Sequence, residues 1–280
     1  MDVANEVPVQ SPNSFGPVPP GDFMAPSYEE SVQISINWAV DWVLRHADRP
    51  IIAVGYSQGG EAASKFRMEF EAGGRLSHLY QNWVCGVALG NPARNYEHTY
   101  YAGPNTPWEG IAQWRMPDEI AGDDWCDLID PGDMYGTCMR GLSGEIQRDV
   151  YTLCTQMEMH SGGVEFCKTL IANTLEVIRN LDGDAYDDMQ AGLSRYGIDL
   201  SGANIARHDV LQSLSDKLLS VEGIACAIAA AIDALIFFCT TPPTASHIEY
   251  HIRQVWPGMT YLGLSIQHIH DWVRTYQGAQ

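Results

Sequence analysis

Residues 55–59 read Gly-Tyr-Ser-Gln-Gly, with Ser57 at the centre. A serine hydroxyl attacks a carbonyl only when a base takes its proton and a carboxylate orients that base and stabilises the imidazolium formed. The flanking glycines let neighbouring backbone pass close to the turn, and Gln58, opening a helix, can aim its N–H at a developing oxyanion. If acid and base follow the serine in that order, His46 comes too early and His160 and His208 fall in helical stretches, leaving His247, His251, His268 and His270. His247 leaves a helix through the loop 240–246, where an imidazole is readily presented, and His251 lies one helical turn further on. For the acid, Asp127, Asp130 and Asp133 all sit near the end of a candidate strand; Asp133 lies in the tight turn Pro131-Gly132-Asp133-Met134-Tyr135, with Asp130 as its rival. Each of these carboxylates also fits a plain turn or helix-cap role.

The elements around Ser57 decide whether the pentapeptide is more than a small-residue turn. Ile51-Ile52-Ala53-Val54 is a continuous β-branched run, the pattern of a strand buried on both faces of a parallel sheet. A helix is predicted over 58–71, ending at Gly73-Gly74, and a second buried strand over 83–89, closed by Gly90-Asn91-Pro92. Strand, helix and strand make a right-handed βαβ unit, with Ser57 on its strained strand-to-helix turn. Ser27-Tyr28-Glu29-Glu30 reads as a capping box opening a helix over 27–46. Six prolines between 8 and 26 leave room only for a short strand at Glu6–Gln10. Residues 94–134 have weak periodicity, with a further strand expected from Trp125 to Ile129. From 141 to 239 the pattern is helical, with candidates at 143–159, 163–180, 184–196, 204–220 and 222–239. The domain expectation is an α/β core over 1–140, an inserted helical subdomain over 141–240, and a return to the core over 241–280, ending in a helix.

Composition narrows the partners. The 280 residues carry 16 Lys plus Arg against 35 Asp plus Glu, a formal charge of -19, so the field repels phosphate backbones and nucleic acid is excluded as a partner. Seven cysteines show no zinc-ribbon spacing and read as buried thiols, a Cys126–Cys138 bridge being the one pairing that an oxidising compartment would allow. The N-terminal residues lack the basic start and apolar core of a secretory leader. The apolar stretch 221–239 contains Glu222 and Asp233 and reads as a buried or interface helix rather than a membrane span, offering copies of the chain a surface for homo-oligomerisation. His247 and His251 are spaced as zinc ligands, but the glutamate is not next to the first histidine; the acidic run 182–188 lacks calcium-loop spacing. No metal and no cofactor is expected.

Taken together, Gly-Tyr-Ser-Gln-Gly at 55–59, Ala-Leu-Gly-Asn-Pro-Ala-Arg at 88–94, Pro-Gly-Asp-Met-Tyr at 131–135 and the apolar helix at 222–238 resemble the lysin B family, the mycolylarabinogalactan esterases of mycobacteriophages and relatives of cutinases. The resemblance runs in patches from about Pro8 to His251. It implies an α/β-hydrolase, cutinase-like fold with a helical linker subdomain, and selects Asp133 as acid and His247 as base. It also implies hydrolysis of the ester between mycolic acids and arabinogalactan, by a protein made in the host cytoplasm and acting at the host envelope during lysis. In that family a His-Gly-Thr-Gly-like segment precedes the region resembling Val7 to Val32, and the chain is expected to start after it. The second oxyanion donor is therefore expected from the loop 11–14, with Ser11 as candidate, or from another chain. Tyr56, Trp108 and Trp114 are expected to line the acyl cleft. Two other readings stay open: a structural or wall-binding protein on a degenerate esterase fold, and a general cutinase or lipase.

Overall fold

The structure, a computed structural model, describes residues 4–15, 25–95, 108–155, 216–238, 241–242 and 244–279. Contacts divide the chain into two compact units, one of Met1–Ser11, Val32–Cys138 and Asp233–Gln280, the other of Pro12–Ser31 and Met139–Ile232. The helices expected at 163–180 and 184–196, and most of 204–220, lie outside the described residues.

The first unit is built on three parallel strands, β1 (Ile51–Tyr56), β2 (Trp83–Leu89) and β3 (Trp125–Leu128), in that spatial order. Every residue of β2 is buried, as its unbroken apolar run requires for a central strand covered on both faces. Side chains alternate across the sheet. Val87, Leu89, Cys126 and Leu128 face the long C-terminal helix Tyr261–Ala279 and pack on its Tyr261 and Leu264. On the other side lies the helix that follows β1, Gln58–Met68, hereafter α2. Asn91, just past β2, donates from Nδ2 to Ser64 Oγ of α2 at 2.9 Å and to the buried Asp127 of β3 at 2.8 Å, fastening helix to sheet. This is an α/β fold with a parallel sheet flanked by helices.

Helix α1 (Tyr28–Arg45) begins where the capping box places it, the Glu30 N–H donating to Ser27 Oγ at 3.1 Å. Its residues Val32, Ile36, Val40 and Val43 form one buried face. In the second unit, α3 (Gly141–Thr155) and the start of α4 (Val221–Phe238) join through Ile146 and Ala230, backed by Leu142, Leu218, Cys226 and Ala227. Lys217 reaches Asp149 at 2.7 Å beside this contact. Among the described residues, no helix is long and apolar enough to cross a membrane. The chain then runs through α5 (Ala245–Ile248), a small hairpin of β4 (Gln254–Trp256) and β5 (Met259–Thr260), and the C-terminal helix, α6.

Two local expectations need correction, and one element was not expected. Residues 6–10 form no strand: they are exposed, Val7 and Val9 included, so nothing supplies the ladder a strand needs. Helix α2 stops at Met68 rather than 71, because the Phe70 N–H turns back to the Arg67 carbonyl in a tightened final turn and the Leu76 N–H caps the Glu69 carbonyl. A 3₁₀ helix at Ser77–Asn82, which no apolar period announces, leads into β2. Cys126 and Cys138 are buried free thiols, as expected of the cysteines, with no bridge between them, and burial pushes the Cys126 thiol up, away from reactivity.

His268 of α6 is fully buried, and burial lowers its imidazole from 6.5 to about 4. The unfolded chain takes up this proton near pH 6.5 and the folded chain does so only near 4, so stability is full above 6.5 and is lost as the pH falls through that window. Asp124, whose carboxyl burial raises, contributes with the opposite sign, so the comparison is made against a variant. Between pH 7 and 4, the wild type is expected to lose roughly 3 kcal/mol relative to His268→Phe in urea unfolding. Parallel pH profiles for the two proteins would contradict the assignment.

Candidate active site

Ser57 stands at the C-terminal end of β1, with φ 56° and ψ −122°, a backbone region that residues with side chains rarely occupy. The surroundings hold it there. Its N–H donates to the Leu89 carbonyl of β2 at 2.9 Å, and its own carbonyl accepts from the Gly60 N–H at 2.8 Å. The turn is so tight that a Cβ on Gly55 would lie 2.0 Å from the Gly59 carbonyl oxygen, which makes glycine obligatory at 55. Gln58 is the first residue of α2, so its backbone N–H lies at the positive end of that helix.

The partners arrive from distant parts of the chain. His247, on α5, places Nε2 2.8 Å from Ser57 Oγ and Nδ1 2.8 Å from Asp133 Oδ2. A carboxylate at Nδ1 fixes the imidazole proton on that nitrogen, leaving Nε2 to accept from the serine. Of the three candidate aspartates, Asp133 faces the imidazole. Asp127 is occupied by Asn91 and by the Trp125 indole N–H at 3.0 Å. Asp130 accepts from Arg253 through both oxygens, at 2.6 and 3.2 Å, and from the Gly132 N–H at 2.9 Å. His251 is exposed on the following turn, and His268 is buried in α6.

Asp133 has no exposed surface and is satisfied from several directions. Oδ2 accepts from His247 and from the Tyr250 hydroxyl at 2.6 Å, and Oδ1 accepts from the Tyr135 N–H at 3.1 Å. Aromatic rings surround the imidazole: Tyr135 at 4.7 Å, Tyr56 at 5.2 Å, Phe237 at 6.4 Å and Tyr250 at 6.5 Å between centroids. Arg94, also fully buried, ties the loop carrying Asp133 to the chain after β2, donating from Nε to the Gly136 carbonyl at 2.9 Å and from Nη2 to the Trp108 carbonyl.

The residues expected to line a cleft divide. Tyr56 lies at the site, its hydroxyl donating to the His247 carbonyl at 2.8 Å; burial first, and the nearby Asp133 charge second, push its phenol up to about 12, so it remains a donor. Trp108 serves Arg94 through its carbonyl, and the Trp114 ring lies 5.6 Å from the Lys65 ammonium, farther along α2. Ser11 accepts from Ser35 Oγ of α1 at 2.6 Å, a hydrogen bond that engages its hydroxyl with α1. Among the described residues no group of three His, Cys, Asp or Glu is placed to hold a metal ion.

Sequence reasoning missed Tyr250 and Gly90. Tyr250 follows His247 by three residues in Ser-His-Ile-Glu-Tyr, a one-turn spacing that could have flagged it. Gly90 has φ +59° and lies against the pair: a Cβ there would be 3.0 Å from both Asp133 Oδ2 and His247 Cε1.

No known family's sequence profile matches the chain, and no curated protein matches it in sequence. Among solved structures, the crystal structure of lysin B from mycobacteriophage D29 is similar, with a TM-score of 0.46 and 19% identity over 87% of this chain and 81% of that one.

Because Gly90 needs both a left-handed backbone and an empty flank, Gly90→Ala is expected to displace the His247–Asp133 pair by a few tenths of an ångström. Labelling of Ser57 by phenylmethylsulfonyl fluoride should slow about tenfold or more. The left-handed alanine should cost about 1 kcal/mol in thermal unfolding. Unchanged labelling kinetics would show that the pair does not rest on this glycine.

Proposed function

We propose that this chain is a serine carboxylic-ester hydrolase. The observation that carries the reading is the line of hydrogen bonds from Ser57 Oγ through His247 to the buried Asp133, starting at a strained strand-to-helix turn. Ser57 Oγ attacks the acyl carbonyl carbon while Nε2 of His247 takes its proton. The imidazolium so formed is paired with Asp133, and the backbone N–H of Gln58, at the start of α2, donates to the oxyanion. Ser11 is the candidate for a second donor. Collapse of the tetrahedral intermediate breaks the bond to the alkoxy oxygen, which leaves as the alcohol after taking the proton from Nε2. Water, deprotonated by the same nitrogen, then attacks the acyl-serine and frees the acid, returning the proton to Ser57.

For the substrate, the residues at 55–59, 88–94 and 131–135 support a lysin B-type reading: the ester joining mycolic acids to arabinogalactan, cleaved at the host envelope during phage-induced lysis. Tyr56 would meet the acyl chain beside Ser57, and the aromatic residues around His247 keep bulk water from the imidazole.

With p-nitrophenyl butyrate, Ser57→Ala and His247→Ala are each expected to lower kcat by about 10⁴-fold or more. A wild type no faster than Ser57→Ala would overturn the esterase reading and favour a wall-binding protein on this fold. On isolated mycolyl-arabinogalactan, release of mycolic acid is expected from the wild type. Activity confined to short soluble esters would point instead to a general lipase.

A further inference from the structure

Tyr250 lies on the turn after α5 with its ring in the core, edge-on to Tyr261 at 5.1 Å and packed among Val87, Leu89, Cys126 and Leu128. Its hydroxyl reaches out of that core to polar groups. That oxygen accepts from the Asp130 N–H at 3.1 Å, so its one hydrogen is directed to the Asp133 carboxylate, at 2.6 Å. The oxygen it reaches, Oδ2, is the one that accepts from His247 Nδ1. Two donors therefore compete for a single carboxylate oxygen, and one of them is the imidazole whose protonated form that carboxylate stabilises.

We propose that Tyr250 is the positioning residue of the acid–base pair, its hydroxyl holding the Asp133 carboxylate against Nδ1 of His247 and withholding part of the carboxylate charge from the imidazole. A hydrogen bond to an ion is short and strong and localises the ion's charge toward the donor. Burial first, and the adjacent Asp133 charge second, raise the Tyr250 phenol well above its ordinary range, so it remains a donor wherever the site works. The other charged and titratable groups near the pair are Tyr56, Tyr135 and Tyr261, Asp127, Asp130 held by Arg253, Glu249 beside Arg253, and the buried Arg94, whose charge interacts with Asp133. All of them survive a change at 250.

The test is Tyr250→Phe, which keeps the ring and removes the hydroxyl. The His247 Cε1 proton is followed by NMR against pH, a readout that needs no turnover. Freed of its competitor, Asp133 should stabilise the imidazolium more strongly, moving the midpoint up by roughly half to one pH unit. The acid limb of kcat/KM for p-nitrophenyl butyrate should move with it, so that the variant loses about threefold to tenfold more activity at acid pH than at pH 8. Replacing Tyr250 by 3-fluorotyrosine, a stronger donor with the same packing, should move both midpoints the other way, and it decides the matter if the phenylalanine variant does not fold. An unmoved His247 midpoint in a folded variant overturns the proposal, whatever happens to the rate. The kinetic arm rests on the esterase reading: a wild type without hydrolysis, combined with a shifted NMR midpoint, would sink that reading and keep the role of Tyr250.

Discussion

The carboxylate of Asp133 is sealed from water, and a buried ion of this kind is tolerated only where donors replace its hydration. Those donors come from three places: the backbone at Tyr135, the ring of His247 and the hydroxyl of Tyr250. The last two lie more than a hundred residues away in sequence. The return of the chain after α4 to the end of the sheet is thus a condition for burying Asp133 at all. Arg94 does the same for the opposite side of the loop, binding the carbonyls of Gly136 and Trp108 and so joining the segment after β2 to the segment after β3. Its own guanidinium is disfavoured by burial and supported by the charges on Asp127 and Asp133.

Ser57 presents the complementary problem. Its backbone conformation costs on the order of 1–3 kcal/mol and survives because the β1–β2 ladder on one side and the first turn of α2 on the other allow no relaxation. The bond from the Ser57 N–H to the Leu89 carbonyl continues the ladder past the last strand residue, so the register that pairs Tyr56 with Leu89 also fixes where the hydroxyl emerges. One residue later the chain leaves β2 through Gly90, the position that lies against the Asp133 and His247 side chains. Strand register, strained turn and the His247–Asp133 pair are therefore a single geometric constraint read along two adjacent strands.

What was legible in the sequence follows the range of the interactions. The Ser27 cap, the β-branched run of β1, the apolar β2 and the amphipathic α2 are local or nearly so, and each formed where its pattern put it to within a few residues. Among Asp127, Asp130 and Asp133, all beside β3, the tight turn at 131–135 favoured Asp133 with Asp130 as its rival, without settling the choice. It is decided by partners distant in sequence: Asn91 takes Asp127, Arg253 takes Asp130, and His247 is left facing Asp133. The strand expected at 6–10 failed for the converse reason, because a local pattern without a partner strand makes no ladder.

The distribution of the three aspartates also explains how so acidic a stretch stays ordered. A chain of charge -19 that places three carboxylates within seven residues at the end of a sheet must give each a different counterpart. Asp127 accepts from the Asn91 amide and the Trp125 indole, and its charge supports the buried Arg94 guanidinium. Asp130 receives a full positive charge from Arg253, at a place where that side chain still reaches solvent. Asp133 accepts from the Tyr135 N–H, the Tyr250 hydroxyl and the His247 ring. Of the three, Asp133 is the one that faces the imidazole beside Ser57, while Asn91 engages Asp127 and Arg253 engages Asp130.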